Sequence, residues 1–170
     1  ITVDSEIGHD MELKYALNDN GYAVRRDGYA SYWMPQSQKD LLKSLFPKCF
    51  IVAECCYWQN YTIEFVNKIE QRYNWDSWAQ YYSQVVDEAL ETHANYLDLR
   101  TPVEAVRWTG QANHEVKRFI KKGGYRIYPE KVSYPKSISK SNRLSINHTW
   151  KNLGVGVLPN NNKRISFKYK

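Results

Sequence analysis

Short apolar segments alternate with helix-like segments over the first two thirds of the chain. The run Phe-Ile-Val-Ala at positions 50–53 is unbroken and ends on Glu54. A strand that is covered on both faces has this pattern, so we predict a buried strand over residues 49–54. Residues 22–24 and 96–99 predict two shorter strands. Because helix-like segments separate the three strands, we expect them to run parallel in an α/β sheet or barrel.

The helical segments are marked by apolar residues at three- and four-residue spacing. A first one is predicted over residues 11–17 and ends at Asn-Asp-Asn-Gly. The next covers residues 35–46, with Ser37 as a candidate cap. Tyr61, Phe65, Val66 and Ile69 mark a third helical face. A long helix follows, capped by Asn74 or Asp76, with an apolar face extending to His93.

The pattern changes after a last helix over residues 114–122, which stops at a Gly-Gly pair. Residues 125–134, 144–149 and 165–169 are strand-like, and polar turns separate them. We interpret residues 125–170 as the opening of an antiparallel β-sandwich. Residues 1–124 then form a first, α/β domain.

Charge supports this division and raises one alternative. Residues 1–113 carry 10 Lys or Arg and 16 Asp or Glu, whereas residues 114–170 carry 14 and 2. A basic region of this kind can bind nucleic acid. The Lys and Arg residues of this region are scattered through alternating, strand-like sequence, and we recognise no nucleic-acid-binding module. We therefore do not expect a nucleic-acid partner. We find no signal peptide and no apolar span of membrane length.

Aromatic residues suggest a ligand class, because sugars pack their C–H faces on such rings. The chain has 14 Tyr and 6 Trp, and several follow predicted strands. Such rings also serve as large core residues, so composition permits a carbohydrate site without requiring one. Cys49, Cys55 and Cys56 lack disulfide or zinc spacing and are expected to pack as small apolar residues. No metal site and no cofactor are predicted.

Glu54 is the candidate for chemistry, since the carboxyl ends of strands carry the catalytic groups in parallel barrels. It could equally be a solvated loop acid or half of a structural ion pair. Asp27, beside Arg25 and Arg26, follows another predicted strand. These side chains could bind sugar hydroxyls or orient Glu54, or they could form a surface turn with a local ion pair.

Further candidates surround this position. Tyr57 and Trp58 directly follow Glu54, and one of them could stack on a sugar ring. His93 is more simply a core or junction histidine than a ligand-binding one. Tyr96 and Asp98 could belong either to the site or to the core. Trp108 and Arg107, which follow that strand, could close the site from the other side.

Three segments together resemble an uncharacterised family of bacterial glycoside-hydrolase-like proteins, in which a (β/α)8 barrel precedes a small β-sandwich. They are the strand ending at Glu54, the segment Thr-His-Ala-Asn-Tyr-Leu at 92–97, and the Gly-Gly-Tyr-Arg-Ile at 123–127 that leads to Trp-Lys-Asn-Leu-Gly-Val-Gly at 150–156. The resemblance implies that residues 1–124 are the carboxyl-terminal part of a barrel, with strands six to eight present, and that the rest of the barrel is a partner.

The resemblance also implies a function. Glu54 matches the place of the nucleophile at the end of strand seven in retaining glycoside hydrolases, whose second carboxylate comes from strand four, outside this chain. The chain is then a fragment of a carbohydrate-active enzyme, inactive alone and acting on an oligo- or polysaccharide outside the cell, in the periplasm or at the cell surface. The alternative is a non-catalytic carbohydrate-binding or scaffolding protein that retains the barrel fold.

Overall fold

The computed structural model describes residues 2–4, 23–140 and 143–158. The helix predicted over residues 11–17 and the strand predicted over residues 165–169 lie outside these residues. The described elements, in chain order, are β1 (Thr2–Asp4), β2 (Ala23–Tyr29), α1 (Gln36–Ser44), β3 (Ile51–Cys55), α2 (Ile63–Glu70), α3 (Trp78–Glu91), β4 (Tyr96–Asp98), α4 (Pro102–Gln111), α5 (Asn113–Lys122), β5 (Ile127–Ser133) and β6 (Asn147–Asn152).

The described strands form two sheets. Strands β1 to β4 form one sheet in the order of the chain, and each neighbouring pair is parallel. Strands β5 and β6 form a separate antiparallel pair. The predicted class, mixed α/β with parallel strands followed by antiparallel ones, is therefore confirmed. Strand β1 was not predicted.

The strand bounds differ from the prediction in ways that matter for the site. Strand β2 continues to Tyr29, through residues that the sequence marked as a loop. The register of its pairing with β3 shifts between Arg26 and Tyr29, and Gly28 has a φ of 81°. A β-bulge at this point accommodates the glycine within the strand. Strand β3 includes Glu54 and ends one residue later, at Cys55.

Burial alternates along β2, which shows that the two faces of the sheet differ. Val24 and Arg26 are buried, whereas Ala23, Arg25 and Asp27 are partly exposed. Successive side chains of a strand point to opposite faces. One face is thus covered within the described chain and carries the core. The other carries charged groups and is less covered.

The helices follow the predicted pattern with corrections at their ends. Helix α1 has Pro35 at its cap position without a side-chain hydrogen bond, so Ser37 is not the cap. Helix α3 is capped by Ser77, whose hydroxyl accepts from the Gln80 amide at 3.4 Å, and not by Asn74 or Asp76. The predicted helix over 114–122 is confirmed as α5, whereas α4 was not predicted.

Helix α2 presents a different face to the core than its apolar residues indicated. Ile63, Val66 and Glu70 are the buried positions. Phe65 and Ile69, which the pattern assigned to the buried face, are 44% and 37% exposed. Among the described residues, every helix is too short or too polar to cross a membrane.

Aromatic rings fill the space between the sheet and the helices. Trp75, Tyr81 and Tyr82 are buried, as the sequence predicted, and Tyr82 stacks on Trp108 with ring centroids 3.9 Å apart. Such pairs stabilise a core beyond their buried area. The three cysteines are buried and free, which confirms their predicted packing role.

The segment after β6 docks at the amino-terminal end of the parallel sheet. The Asn95 side chain donates to the Val157 carbonyl at 2.6 Å, and its backbone amide donates to Ile51 at 2.7 Å. A Cβ on Gly154 would lie 2.1 Å from the Gly124 carbonyl oxygen, so only glycine permits this approach. The glycine-containing segments at 123–124 and 154–156 therefore meet around Asn95.

The β5–β6 pair itself projects from this junction. Each residue of β5 is exposed, and only Trp150 of β6 is partly buried. A two-stranded sheet without a covered face is marginal by itself in water. The described residues of this region thus form an antiparallel strand pair and no sandwich core, and the second domain stays a prediction.

A buried ion pair links α1 to α3. The ammonium group of Lys39 lies 3.1 Å from Glu88, and both side chains are at most 9% exposed. Glu88 also accepts from the Ala30 amide at 2.7 Å and from the Tyr73 hydroxyl at 2.9 Å. These bonds offset the cost of removing the carboxylate from water.

We expect Glu88→Ala to lower the free energy of unfolding by about 3–5 kcal/mol, because it leaves Lys39 buried without its counter-ion. Glu91→Ala, on the same helix, is the matched control. It breaks the exposed 2.7 Å pair with Lys43 and should cost less than about 1 kcal/mol. Urea unfolding of both variants measures the difference. Equal losses would contradict the structural role of Glu88.

Candidate functional site

An open pocket of about 330 Å³ lies where β2 and β3 end. Parallel strands bring their carboxyl ends to one edge of the sheet, so the loops that follow β2 and β3 meet there. The pocket is lined by Asp27, Gly28, Trp33, Cys56, Tyr57, Trp58 and Arg100.

Exposed aromatic rings give the pocket its apolar surface. Trp33 is 52% exposed and comes from the loop after β2, whereas Tyr57 is 44% exposed and comes from the loop after β3. A Cβ at Gly28 would lie 2.8 Å from the Cβ of Trp33, so the glycine leaves room for the tryptophan. Two large rings open to solvent at the same pocket are available for stacking on a ligand.

Glu54 lies beside the pocket and is held between two guanidinium groups. One of its oxygens pairs with Arg25 and the other with Arg100. Only 2% of its side chain is exposed. Both oxygens are therefore engaged, and the predicted alternative of a structural ion pair describes the observed contacts.

Arg100 connects the acids of the site. Besides Glu54, it pairs with Asp27 at 2.6 Å and donates to the Cys55 carbonyl at 2.9 Å. Its backbone has a φ of 71°, an unfavourable value outside glycine, and its amide donates to the Asp98 carboxylate at 2.8 Å. Asp98 thus stabilises the turn that directs Arg100 to the strand ends.

Buried acids hold the backbone of the loop after β2. Glu88 accepts from the Ala30 amide, and Glu70 accepts from the Tyr32 amide. Arg26, 4% exposed, donates to the Trp33 carbonyl. The position of Trp33 is therefore determined by buried ionisable groups that lie beneath it.

The loop after β3 is held in the same way by α4. Glu104, 1% exposed, accepts from the Trp58 amide at 2.8 Å. Arg107 donates to the Gln59 carbonyl at 3.2 Å, and its guanidinium lies 4.0 Å from the centre of the Trp78 ring. Charge-assisted hydrogen bonds of this kind are stronger than neutral ones, so both loops are ordered before a ligand arrives.

The structure brings some of the predicted residues together and separates others. Asp27, Tyr57 and Trp58 line the pocket, whereas Arg26 lies behind it. Trp108 is fully buried in the core and cannot close the site from the other side, since α4 directs it toward Tyr82.

His93 and Tyr96 also lie away from the pocket, at the amino-terminal end of the sheet. His93 is not on the apolar face of α3: it follows the helix with a φ of 61°. Its ring stacks on Phe46 at 4.0 Å, and its Nδ1 is 3.0 Å from the Val155 carbonyl. It is thus a junction histidine. Tyr96 begins β4 and packs near Phe50, with ring centroids 5.3 Å apart.

Trp33 and Arg100 belong to the pocket and were missed. Arg100 comes two residues after β4, so the rule that identified Glu54 could also have identified it. Trp33 was missed because the sequence placed the end of β2 too early. The buried glutamates that hold the two loops, Glu70, Glu88 and Glu104, could not be identified from the sequence. A glutamate on a helix is usually exposed to solvent, and nothing in the local pattern marks these three as buried.

The thiols beside the site are not activated. Burial raises the pKa of Cys56 to about 12, and of Cys49 to about 11. Burial also raises the pKa of Cys55 above its ordinary value. Nucleophilic thiols require a lowered pKa. Among the described residues, no cluster of His, Cys, Asp and Glu is arranged to bind a metal ion.

We found no match to this chain among protein-family models, curated proteins or solved structures. The plain result is a mixed α/β protein with a parallel sheet, an antiparallel strand pair and an aromatic pocket at the strand ends. Its function has to be argued from the residues of that pocket.

Glu70 should make stability depend on pH. Burial raises its pKa from 4.5 to about 7, against the opposing effects of the Tyr32 amide and Arg72. Between these values the unfolded chain has released the proton and the folded chain still holds it. The free energy of unfolding should therefore fall as pH rises from 4.5 to about 7, and Glu70→Gln should remove this decrease.

Urea unfolding across this pH range measures the effect. Glu64→Gln is the control on the same helix, because the Thr62 hydroxyl lowers the pKa of Glu64, whereas burial raises the pKa of Glu70. A wild-type profile that does not fall, or a Glu70→Gln profile that falls as steeply as the wild type, would contradict the assignment.

Proposed function

We propose that this chain binds a carbohydrate in the pocket at the carboxyl ends of β2 and β3. The observation that carries the proposal is the exposure of Trp33 and Tyr57 at one pocket that also contains Asp27 and Arg100. Ligand sites combine apolar walls with a few fixed polar groups. Rings that accept sugar C–H faces, next to a carboxylate and a guanidinium that accept and donate hydrogen bonds, match the two surfaces of a sugar.

The charge of the lining favours a neutral sugar over an ion. The guanidinium of Arg100 is already shared between Glu54, Asp27 and the Cys55 carbonyl. An anionic ligand would have to compete with two carboxylates for it. Hydroxyl groups need no such exchange, because they can add to the remaining lone pairs of a paired carboxylate.

We further propose that the sheet is the carboxyl-terminal part of a (β/α)8 barrel. Its strands are parallel and follow chain order, as consecutive barrel strands do. The charged face of β2 and β3 would then be the barrel interior, and the missing strands would pair with β1 and β4. In this proposal the remainder of the barrel is the partner. On the family resemblance, we propose that such a protein acts outside the cell, in the periplasm or at the cell surface.

Affinity electrophoresis in gels that contain xylan, glucomannan or mixed-linkage β-glucan tests sugar binding. We expect retardation in at least one gel. Trp33→Ala should weaken that binding about tenfold, because a stacking surface is lost. Trp33→Phe should retain most of it. Tyr134→Ala is the control, since Tyr134 is 69% exposed on the β5–β6 side of the chain.

Retardation in none of the gels would overturn the proposal. So would a Trp33→Ala variant that binds like the wild type, because the ligand would then lie elsewhere. Thermal unfolding of each variant separates a lost contact from a lost fold.

One observation favours a second function, glycoside hydrolysis. Glu54 occupies the carboxyl end of β3, where catalytic groups of parallel barrels lie, and it pairs with Arg25 and Arg100. In that reaction a carboxylate oxygen bonds to the anomeric carbon, the glycosidic C–O bond breaks, and the leaving oxygen takes a proton from a second acid. Glu54 would have to exchange one guanidinium for the substrate. The missing part of the barrel would supply the second acid.

Activated deoxyfluoro glycosides, which trap the covalent intermediate, test the second function. If Glu54 is the nucleophile, incubation with the gluco, manno, galacto and xylo reagents should add one sugar to the peptide that contains it. Glu54→Gln should abolish the adduct. Asp27→Asn, which also loses an Arg100 partner, should retain it. No adduct, or an adduct on another residue, leaves binding as the function.

A further inference from the structure

An exposed row of aromatic rings continues from the pocket onto helix α2. Tyr61 and Phe65 are 41% and 44% exposed, and their rings are stacked with centroids 4.7 Å apart at an angle of 7°. The core does not use these rings, because α2 buries Ile63 and Val66 instead. Exposed apolar surface that is contiguous, in contrast to single exposed residues, marks an interaction site.

This row is continuous with the sugar pocket. Trp58 is 7% exposed and lines the pocket with its remaining surface, and its ring meets the exposed ring of Tyr61 edge to face at 5.7 Å. The three residues Trp58, Tyr61 and Phe65, here called the aromatic strip, therefore connect the pocket wall to the outer surface. Its occupant has to fit a surface that begins inside the pocket.

The aromatic strip is also rigid, which favours binding. Glu104 holds the Trp58 amide, and the Tyr61 amide donates to the Trp58 carbonyl at 3.1 Å. The Thr62 hydroxyl accepts from the Phe65 amide at 3.3 Å and caps α2. Little freedom is then lost when a ligand binds, because the rings already have their positions.

We infer that the ligand is an extended oligosaccharide or polysaccharide, whose first units occupy the pocket and whose next units lie along the aromatic strip. This inference rests on the proposed sugar binding and deepens it. A monosaccharide would be satisfied by the pocket and would leave Tyr61 and Phe65 without a role. A sugar chain presents repeated C–H faces at successive units, which is what a row of exposed rings can accept.

The test compares the disaccharide and the hexasaccharide of the polysaccharide that retards the wild-type protein. Isothermal titration should show that the wild type binds the hexasaccharide at least about tenfold more tightly. The double variant Tyr61→Ala/Phe65→Ala should remove most of this difference and leave disaccharide affinity unchanged. The control is Val103→Ala/Val106→Ala, which removes two side chains of α4 that are 55% and 71% exposed.

Each other outcome overturns the inference. If the wild type binds both lengths equally, the strip holds no sugar units although the pocket does. If the double variant loses affinity for both lengths equally, Tyr61 and Phe65 only support the pocket. If ultracentrifugation shows a wild-type dimer that the double variant dissociates, the strip joins two copies of this chain. If no polysaccharide binds at all, the proposed function fails together with this inference.

Discussion

The pocket depends on buried carboxylates that bind backbone amides. Glu88 and Glu70 hold the loop after β2, and Glu104 holds the loop after β3. A loop amide that lacks a strand partner needs another acceptor, and a buried carboxylate needs donors. The hydrogen bonds between them satisfy both the loop amides and the buried carboxylates. The irregular segments that carry Trp33 and Trp58 are therefore ordered, although no strand continues through them.

Arg100 performs the corresponding task for the acids at the strand ends. Glu54 and Asp27 lie on neighbouring strands, and their like charges would repel at the sheet edge. One guanidinium between them removes the repulsion and connects β4 to β2 and β3. The planar fork of arginine can engage several oxygens at fixed angles, which an ammonium group cannot do. The floor of the pocket is thus built from salt bridges and its walls from aromatic rings.

The sequence predicted the elements better than the site. The apolar run before Glu54 and the spacing of Tyr81, Tyr82 and Val85 predicted β3 and α3, because burial leaves a periodic pattern. The bulge at Gly28 was not predictable, since a glycine among charged residues is more often a loop. His93 was placed on a helical face by periodicity alone, although the helix ends before it. Contacts such as that between Glu104 and Trp58 depend on tertiary packing and leave no local pattern.

The partly exposed face of the parallel sheet connects fold and function. Parallel sheets are stable when both faces are covered, yet Arg25 and Asp27 on β2 alternate with buried neighbours and remain partly exposed. Helices that covered this second face would bury charges, which requires partners for each of them. A closed barrel solves the problem differently, because its interior at the carboxyl end is open to ligands and water. In the proposed barrel, the same charges that make a second helical layer costly would be the polar groups of a binding site at these strand ends.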